Sequence, residues 1–175
     1  MKSQKSNQKQ ILIIKKKINN YKILRYNFLE QLIKKIKIKT NIISSTGFIS
    51  RELDDILKNG TYSKIYPFYM VGGMGHAASV TLGVSLKSNK NNICIDGDGS
   101  LLMHTGSLGL VRNFGGKKFK YILLRNDCHE SVGDQSTNSS NIDFKLLSKS
   151  FGFNSYLLIT NELHLKKVLN RFINI

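Results

Sequence analysis

Two apolar segments, each followed by a polar side chain, constrain the fold of this chain most strongly. The first, residues 92–95, leads into Gly97-Asp98-Gly99-Ser100, and the second, residues 119–124, leads to Asn126, 28 residues after Asp98. Short apolar runs bounded by glycine and polar residues are typical of buried strands. Because ligands of open α/β sheets bind at the carboxyl ends of the strands, the sequence predicts that Asp98 and Asn126 lie side by side at that edge.

The residues around this edge suit a phosphate group and a hard cation. Glycines on either side of Asp98 let a diphosphate approach the backbone, and a helix that begins near Ser100 would point free N–H groups at it. A carboxylate oxygen, an amide oxygen and a backbone carbonyl are ligands that Mg²⁺ accepts, with phosphate oxygens completing its octahedron. The motif therefore predicts a joint site for a diphosphate and magnesium.

Three common motifs do not fit these residues. Gly97-Asp98-Gly99 lacks the third glycine of a dinucleotide fingerprint, because Leu102 occupies that place. A calcium-binding loop would need glycine at Leu101 and a glutamate at Ser107. A P-loop would need an upstream glycine that Gly116-Lys117 lacks. For Gly97-Asp98-Gly99 taken alone, a plain polar turn after a strand is the alternative.

Helix and strand patterns alternate along the rest of the chain. Helices are predicted at 23–36, 50–58, 76–86, 101–114, 142–151 and from an Asn161 cap to 172, and strands at 41–45, 66–71, 92–96, 119–124 and 155–159. The alternation predicts an α/β fold with a parallel sheet and helices on both faces. Residues 1–20 are expected to form a basic, poorly ordered extension and residues 21–175 a single domain, with the last strand of the sheet missing.

The charge of the chain is unusual, whereas its cysteine content is not. A net charge of +16 raises the question of nucleic-acid binding, but lysine is abundant throughout and its densest run, residues 2–39, precedes the motifs. A nucleic-acid partner is therefore not expected, and a basic RNA-binding tail is the alternative. Cys94 and Cys128 do not suggest a disulfide scaffold. The apolar run at 11–14 is too short for a signal sequence or a membrane span, so a cytoplasmic protein is expected.

Four ordered blocks of sequence resemble one family of enzymes. They are residues 44–53 (SSTGFISREL), 69–77 (YMVGGMGHA), 95–104 (IDGDGSLLMH) and 129–135 (HESVGDQ). Together they resemble phosphonopyruvate decarboxylases and the related β subunits of sulfopyruvate decarboxylase, which are thiamine diphosphate enzymes. The resemblance runs from about residue 23 to the C-terminus and implies the thiamine diphosphate-binding fold.

The resemblance implies roles for individual residues. Asp98, the side chain of Asn126 and the backbone carbonyl of Cys128 would bind Mg²⁺. Met74 would be the apolar wedge that bends the cofactor into a V shape. The full set of implied cofactor-binding residues is Gly72, Gly73, Met74, Gly97, Asp98, Gly99, Ser100 and Asn126. Asp127 departs from the family pattern, because it stands where a glycine is usual.

The implied reaction is decarboxylation of the 2-keto acid 3-phosphonopyruvate to phosphonoacetaldehyde. A sulfopyruvate decarboxylase β subunit and a catalytically silent cofactor-binding fragment are the alternatives. His129 and His76 are the candidate catalytic residues, and His129 and Ser131 are expected near the anionic group of the substrate. In this family the glutamate that protonates the pyrimidine belongs to a separate pyrimidine-binding domain. The resemblance therefore implies a partner domain or subunit within an oligomer.

Overall fold

The computed structural model describes the backbone of residues 10–15 and the whole of residues 23–173. The strands are β1 (Gln10–Lys15), β2 (Thr40–Ser44), β3 (Ile65–Tyr69), β4 (Asn91–Gly97), β5 (Phe119–Arg125), β6 (Cys128–His129), β7 (Gln135–Ser136) and β8 (Ser155–Ile159). The helices are α1 (Arg25–Lys35), α2 (Phe48–Lys58), α3 (Ala77–Lys87), α4 (Asp98–Met103), α5 (Ser107–Phe114), α6 (Phe144–Ser150) and α7 (Glu162–Ile173). None of the helices within this described part is long and apolar enough to cross a bilayer.

Six strands form one parallel sheet in the order β3-β2-β4-β5-β1-β8, which confirms the predicted α/β fold. The central strands are buried because helices cover both faces of the sheet. One apolar cluster joins the sheet to α1, α2 and α7, and the other joins it to α3, α5 and α6. Along β5, Ile122 belongs to the first cluster, and Tyr121 and Leu123 belong to the second. This alternation is the period of two that a strand buried on both faces requires.

The N-terminal segment differs from its prediction. Residues 10–15 form β1, which pairs with β5 on one side and with β8 on the other, whereas the sequence predicts a poorly ordered extension up to residue 20. The remainder of that extension, residues 1–9 and 16–20, lies outside the described residues. The apolar run at 11–14 has the length of a buried strand, which explains why it enters the sheet. Within residues 23–173 no strand follows α7, and β1 fills the position between β5 and β8.

The predicted helix at 101–114 is wrong in two respects. Its first turn begins at Asp98, three residues earlier, and the chain leaves the helix at His104 before α5 starts at Ser107. The hydroxyl of Thr105 donates to the carbonyl of Leu101 at 3.0 Å, which closes the end of α4. The break separates α4, which faces the sheet edge, from α5, which packs against α3.

Candidate functional site

A cavity of about 300 Å³ opens at the carboxyl ends of β4 and β5. Of the sequence-predicted site residues, those on its wall are Met74, Gly97, Asp98, Gly99, Ser100, Asn126, Cys128 and His129. Gly72, Gly73 and His76 are not part of the wall. The fold therefore brings the two motifs together at one sheet edge, and it leaves one of the two candidate catalytic histidines elsewhere.

Asp98 is buried at the start of α4, and its two carboxylate oxygens have different surroundings. Oδ2 accepts hydrogen bonds from the Asp127 N–H at 2.9 Å, the Thr137 hydroxyl at 2.9 Å and the Ser139 hydroxyl at 2.5 Å. Oδ1 accepts no hydrogen bond from the residues that the structure describes. One oxygen thus holds the loop that follows β5, while the other has no hydrogen-bond donor among the described residues.

Asn126 and Cys128 present oxygen atoms on the same side of the loop. The Cys128 N–H donates to Asn126 Oδ1 at 3.4 Å. Cys128 lies opposite Ser136 in the β6–β7 hairpin, and the flanking hydrogen bond runs from the Thr137 N–H to the Asp127 carbonyl at 3.2 Å. In an antiparallel pair the backbone groups of alternate residues point away from the partner strand. The Cys128 carbonyl therefore points away from β7, on the side where Asn126 lies.

Asp127 adopts the left-handed conformation, with φ of 62°. Glycine adopts this conformation without strain, whereas an aspartate needs local hydrogen bonds to hold it. The Asp127 carboxylate accepts from Arg125 Nε at 2.7 Å, and its Oδ1 lies 2.5 Å from the Ser139 hydroxyl, whose single hydrogen is shared between Asp127 and Asp98. These contacts explain how an aspartate holds the left-handed turn at this position.

The His129 ring leaves no room for a side chain at Gly99. A Cβ atom on Gly99 would lie 2.5 Å from His129 Cε1 and 2.9 Å from the methyl group of Thr137. Real Cβ atoms do not come this close, so the position requires glycine while the ring stays where it is. His129 is therefore held over the first turn of α4, on the wall of the cavity.

Asp96 was not predicted as a site residue, but it organises the motif from the core. Its carboxylate is 1% exposed, and it accepts from the Tyr121 hydroxyl at 2.8 Å and from the Gly97 N–H at 2.9 Å. The hydroxyls of Ser100 and Ser45 also bond to it. Burial raises the pKa of Asp96 above its usual value, and the hydrogen bonds from Ser100, Tyr121, Gly97 and Ser45 oppose that rise.

Ser100 links this buried carboxylate to the glycine-rich turn at 72–75. Its Oγ accepts a hydrogen bond from the Gly75 N–H at 3.0 Å. Gly72 and Gly75 have φ of 72° and 87°, which is the left-handed region that favours glycine. The turn and the Asp98 motif are thus tied together, and Met74 lies on the cavity wall as a result.

His76 lies on the surface beside this turn. Its Nδ1 is 3.2 Å from the Met74 carbonyl, and its ring centroid is 4.9 Å from that of His104. The side chain is exposed and does not line the cavity. The catalytic role proposed for His76 from the sequence therefore stays a prediction with no support from this placement.

A charged cluster that the sequence analysis did not predict as part of the site also lines this cavity. Arg25, at the start of α1, donates to both oxygens of Glu52 at 2.9 and 2.6 Å and to Glu130 Oε2 at 2.8 Å. The guanidinium lies 5.5 Å from the centre of the Phe48 ring. Burial acts to lower the pKa of Arg25, but the hydrogen bonds and charges of the two glutamates outweigh it and raise that pKa. Arg25, Glu52, Glu130 and Phe48 all line the cavity.

The arginine of this cluster had a weak signal in the sequence. Only five of the 27 basic residues are arginine, and two of these, Arg25 and Arg125, lie on the cavity wall. Arginine suits bidentate pairing with carboxylates better than lysine does. An arginine in a lysine-rich chain therefore indicates a position where such a bidentate contact is made, as Arg25 makes with Glu52. The contact between Arg25 and Glu130 spans 105 residues, and no local pattern predicts it.

The fold and the cavity together define an α/β protein with a ligand site at the carboxyl edge of a parallel sheet. The family model described as "Thiamine pyrophosphate enzyme, C-terminal TPP binding domain" matches residues 46–175. Because this match covers most of the chain, the protein belongs to that family, as the sequence blocks predicted. Arg25 and the rest of α1 precede the matched region.

Curated relatives carry two names. A phosphonopyruvate decarboxylase from Streptomyces hygroscopicus is 37% identical over 125 residues, which are 71% of this chain and 30% of that protein. A sulfopyruvate decarboxylase subunit beta from Methanothermobacter thermautotrophicus is 36% identical over 113 residues, 65% of this chain and 58% of that protein. The subunit beta from Methanocaldococcus jannaschii is 32% identical over 142 residues, 79% of this chain and 70% of that protein. The chain therefore spans less than a third of the phosphonopyruvate decarboxylase.

Proposed function

We propose that this chain is the cofactor-binding half of a thiamine diphosphate- and Mg²⁺-dependent decarboxylase, a carboxy-lyase that converts 3-phosphonopyruvate to phosphonoacetaldehyde. The observation that carries the proposal is the meeting of Asp98, Asn126 and Gly99 on one cavity wall within a family of thiamine pyrophosphate enzymes. The identity to a phosphonopyruvate decarboxylase over 71% of the chain supports the choice of substrate.

The donor set fits a hard divalent cation. Asp98 Oδ1, Asn126 Oδ1 and the Cys128 carbonyl are the oxygens we assign to Mg²⁺, because oxygen ligands and a single carboxylate suit an ion that also binds a diphosphate. Gly97, Gly99 and Ser100, at the start of α4, would receive the diphosphate.

The turn at 72–75 would meet the rest of the cofactor, with Met74 as its apolar contact. When bound, thiamine diphosphate supplies the electron sink that makes loss of carbon dioxide from a 2-keto acid possible. His129 and Ser131 on the cavity wall are the side chains we assign to the anionic group of the substrate.

The proposal includes a partner that carries a pyrimidine-binding domain. Glu52 and Glu130 are acidic side chains on the cavity wall, but both bind Arg25 through charge-assisted hydrogen bonds. Both carboxylates are therefore already engaged by a side chain of this chain, and we assign the acid that meets the pyrimidine to the partner. The name "subunit beta" of the archaeal relatives supports a separate chain for the missing acid.

We also propose a cytoplasmic location, with which the two free cysteines, Cys94 and Cys128, are consistent.

A sulfopyruvate decarboxylase β subunit is the second candidate, and sequence identity supports it almost equally. The chain is 36% identical to the Methanothermobacter thermautotrophicus subunit beta and 37% identical to the phosphonopyruvate decarboxylase. Both keto acids place a strong anion on carbon 3, so the cavity chemistry described above suits either.

The test is a steady-state assay of the purified chain with 3-phosphonopyruvate and with 3-sulfopyruvate, alone and after co-expression with a pyrimidine-binding partner. We expect turnover of one keto acid only in the reconstituted sample, and the preferred keto acid decides between the two candidates. Full turnover by the chain alone would contradict the need for a partner. If the reconstituted complex binds thiamine diphosphate but turns over neither keto acid, the chain is a catalytically silent binding fragment.

A further inference from the structure

The side-chain amide of Asn126 has a defined orientation. Its Nδ2 donates to Glu130 Oε2 at 3.0 Å, and its Oδ1 accepts the Cys128 N–H at 3.4 Å. An ionised carboxylate can only accept hydrogen bonds, so the NH₂ group of Asn126 must face Glu130. The amide oxygen therefore points to the other side.

Glu130 is itself held by Arg25. Arg25 Nη1 donates at 2.8 Å to Glu130 Oε2, the same oxygen that receives the Asn126 amide. The bidentate pairing with Glu52 fixes the plane of the guanidinium. The side chains of Arg25, Glu52 and Glu130 are only 19–28% exposed, so solvent competes weakly for the contacts. Arg25, Glu130 and Asn126 thus form a continuous relay from α1 to the loop after β5.

We propose that Glu130, held in place by Arg25, is a positioning residue that makes Asn126 present its amide oxygen, and not its NH₂ group, to the divalent cation. The inference rests on the proposed function, because it assumes that Asn126 is a ligand of that cation. Arg25 precedes the region matched by the family model, so the relay couples a helix outside that region to the metal site.

The amide needs such a partner because its two ends are nearly equal in size. Without an acceptor at Glu130, only the long hydrogen bond from the Cys128 N–H, at 3.4 Å, would oppose a rotation that exchanges the O and NH₂ of Asn126. An NH₂ group aimed at a cation repels it. Loss of a hydrogen-bond partner that orients a metal ligand typically lowers metal affinity about 10–100-fold.

The test titrates Mn²⁺, a spectroscopic substitute for Mg²⁺, into the full chain with thiamine diphosphate, with the partner co-expressed where binding requires it. Unbound Mn²⁺ is measured by electron paramagnetic resonance. We expect Glu130→Gln to lower Mn²⁺ affinity about 10–100-fold. Glu52→Gln removes the same charge from the same arginine without touching Asn126, so it reports the purely electrostatic part of the change and should lose less.

A double-mutant cycle separates orientation from charge. Asn126→Asp offers a carboxylate oxygen whichever way the group turns, so Glu130→Gln should no longer weaken Mn²⁺ binding in that background. An equal loss in the wild-type and Asn126→Asp backgrounds would overturn the inference, as would Glu130→Gln with wild-type affinity. Failure of the wild type to bind Mn²⁺ would overturn the proposed function along with it.

The orientation can also be read without metal. The side-chain NH₂ resonances of Asn126 in a ¹⁵N-labelled sample should report a hydrogen bond to a carboxylate, and they should shift in Glu130→Gln but not in Glu30→Gln. Glu30 is an exposed partner of Lys34 on α1 and makes a matched control. Resonances that do not respond to Glu130→Gln would show that the amide is not bound there.

Discussion

Asp98 should have two separable functions, one for each carboxylate oxygen. Oδ2 is the acceptor of three donors in the loop after β5, and Oδ1 is the oxygen we assign to the cation. Asp98→Ala removes both oxygens, whereas Asp98→Asn keeps an oxygen for the loop and directs its NH₂ group at the cation. The two variants should therefore agree in cofactor binding and differ in stability.

The expected loss of stability follows from the contacts. In Asp98→Ala the Ser139 hydroxyl can still bond to Asp127 Oδ1, 2.5 Å away, so two donors lose their charged acceptor. A hydrogen bond to a charged group is worth about 1.5–3 kcal/mol, and relief of the buried charge offsets part of that loss. We expect Asp98→Ala to lower the free energy of unfolding by about 3 kcal/mol and Asp98→Asn by about 1 kcal/mol.

The assays are urea unfolding followed by circular dichroism, and calorimetric titration of thiamine diphosphate with Mg²⁺ in the reconstituted sample. Asp134→Asn is the matched control, because it makes the same charge change in the same loop at a φ of 61° that asparagine tolerates. Wild-type cofactor affinity in Asp98→Asn would refute the assignment of Oδ1 to the cation. Wild-type stability in Asp98→Ala would refute the role of Oδ2.

Three further predictions concern other parts of the molecule. Gly99→Ala should weaken thiamine diphosphate binding in calorimetry, because its Cβ displaces His129. The free energy of unfolding should change by no more than about 1 kcal/mol, because alanine favours the helix. Unchanged cofactor affinity would contradict this prediction. Burial lowers the pKa of Lys120 to about 8, so the contribution of Lys120 to stability should rise by about 3 kcal/mol between pH 8 and 10.5. The buried Tyr121 and Cys94, whose pKa values burial raises, act in the opposite direction in the wild type and in the variant alike. Lys120→Met should show no such rise in urea unfolding, and parallel pH profiles would refute the burial argument. Deletion of residues 1–20 removes β1 from between two strands and should lower the urea midpoint markedly, whereas an unstructured extension would leave it unchanged.

The sign for Lys120 follows from proton linkage. Its pKa in the folded chain lies below the unfolded value of 10.5, so folding releases a proton between pH 8 and 10.5. The stabilisation is complete above the unfolded pKa and is lost as the pH falls through the folded one. The hydrogen bond from Lys120 Nζ to the Ile173 carbonyl, at 2.7 Å, opposes part of the loss at neutral pH.

The sheet and the Asp98–Asn126 edge could be predicted from the sequence because they depend on local patterns. The apolar runs that lead into the two motifs each end at a polar or glycine residue, and the run in β5 is nearly continuous, as in a strand buried on both faces. The hydrogen bond from the His164 N–H to the side-chain oxygen of Asn161, at 2.8 Å, likewise follows from a capping residue before an amphipathic helix.

The charged wall of the cavity could not be predicted in the same way. Arg25 meets Glu52 over 27 residues and Glu130 over 105 residues. The first contact depends on how α1 packs against α2, and the second on where the segment after β6 lies. The strand at 10–15 could not be predicted for another reason. A run of only four apolar residues, 11–14, does not by itself identify a strand of the sheet. Their pairing with β5 and β8 is a long-range contact that a short run cannot specify.

Asp96 and Asp98 show why the local motif alone does not assign functions to its carboxylates. Two residues apart on a strand, they would point to the same face, but the strand ends at Gly97 and Asp98 begins α4. Asp96 thus remains in the core with Tyr121, where burial raises its pKa, and its hydrogen bond to Ser100 holds the turn that carries Met74. Asp98 is turned into the cavity with one oxygen directed at the loop. The same residue type therefore supports the site from within at one position and offers the oxygen that we assign to the cation at the other, because a helix starts between them.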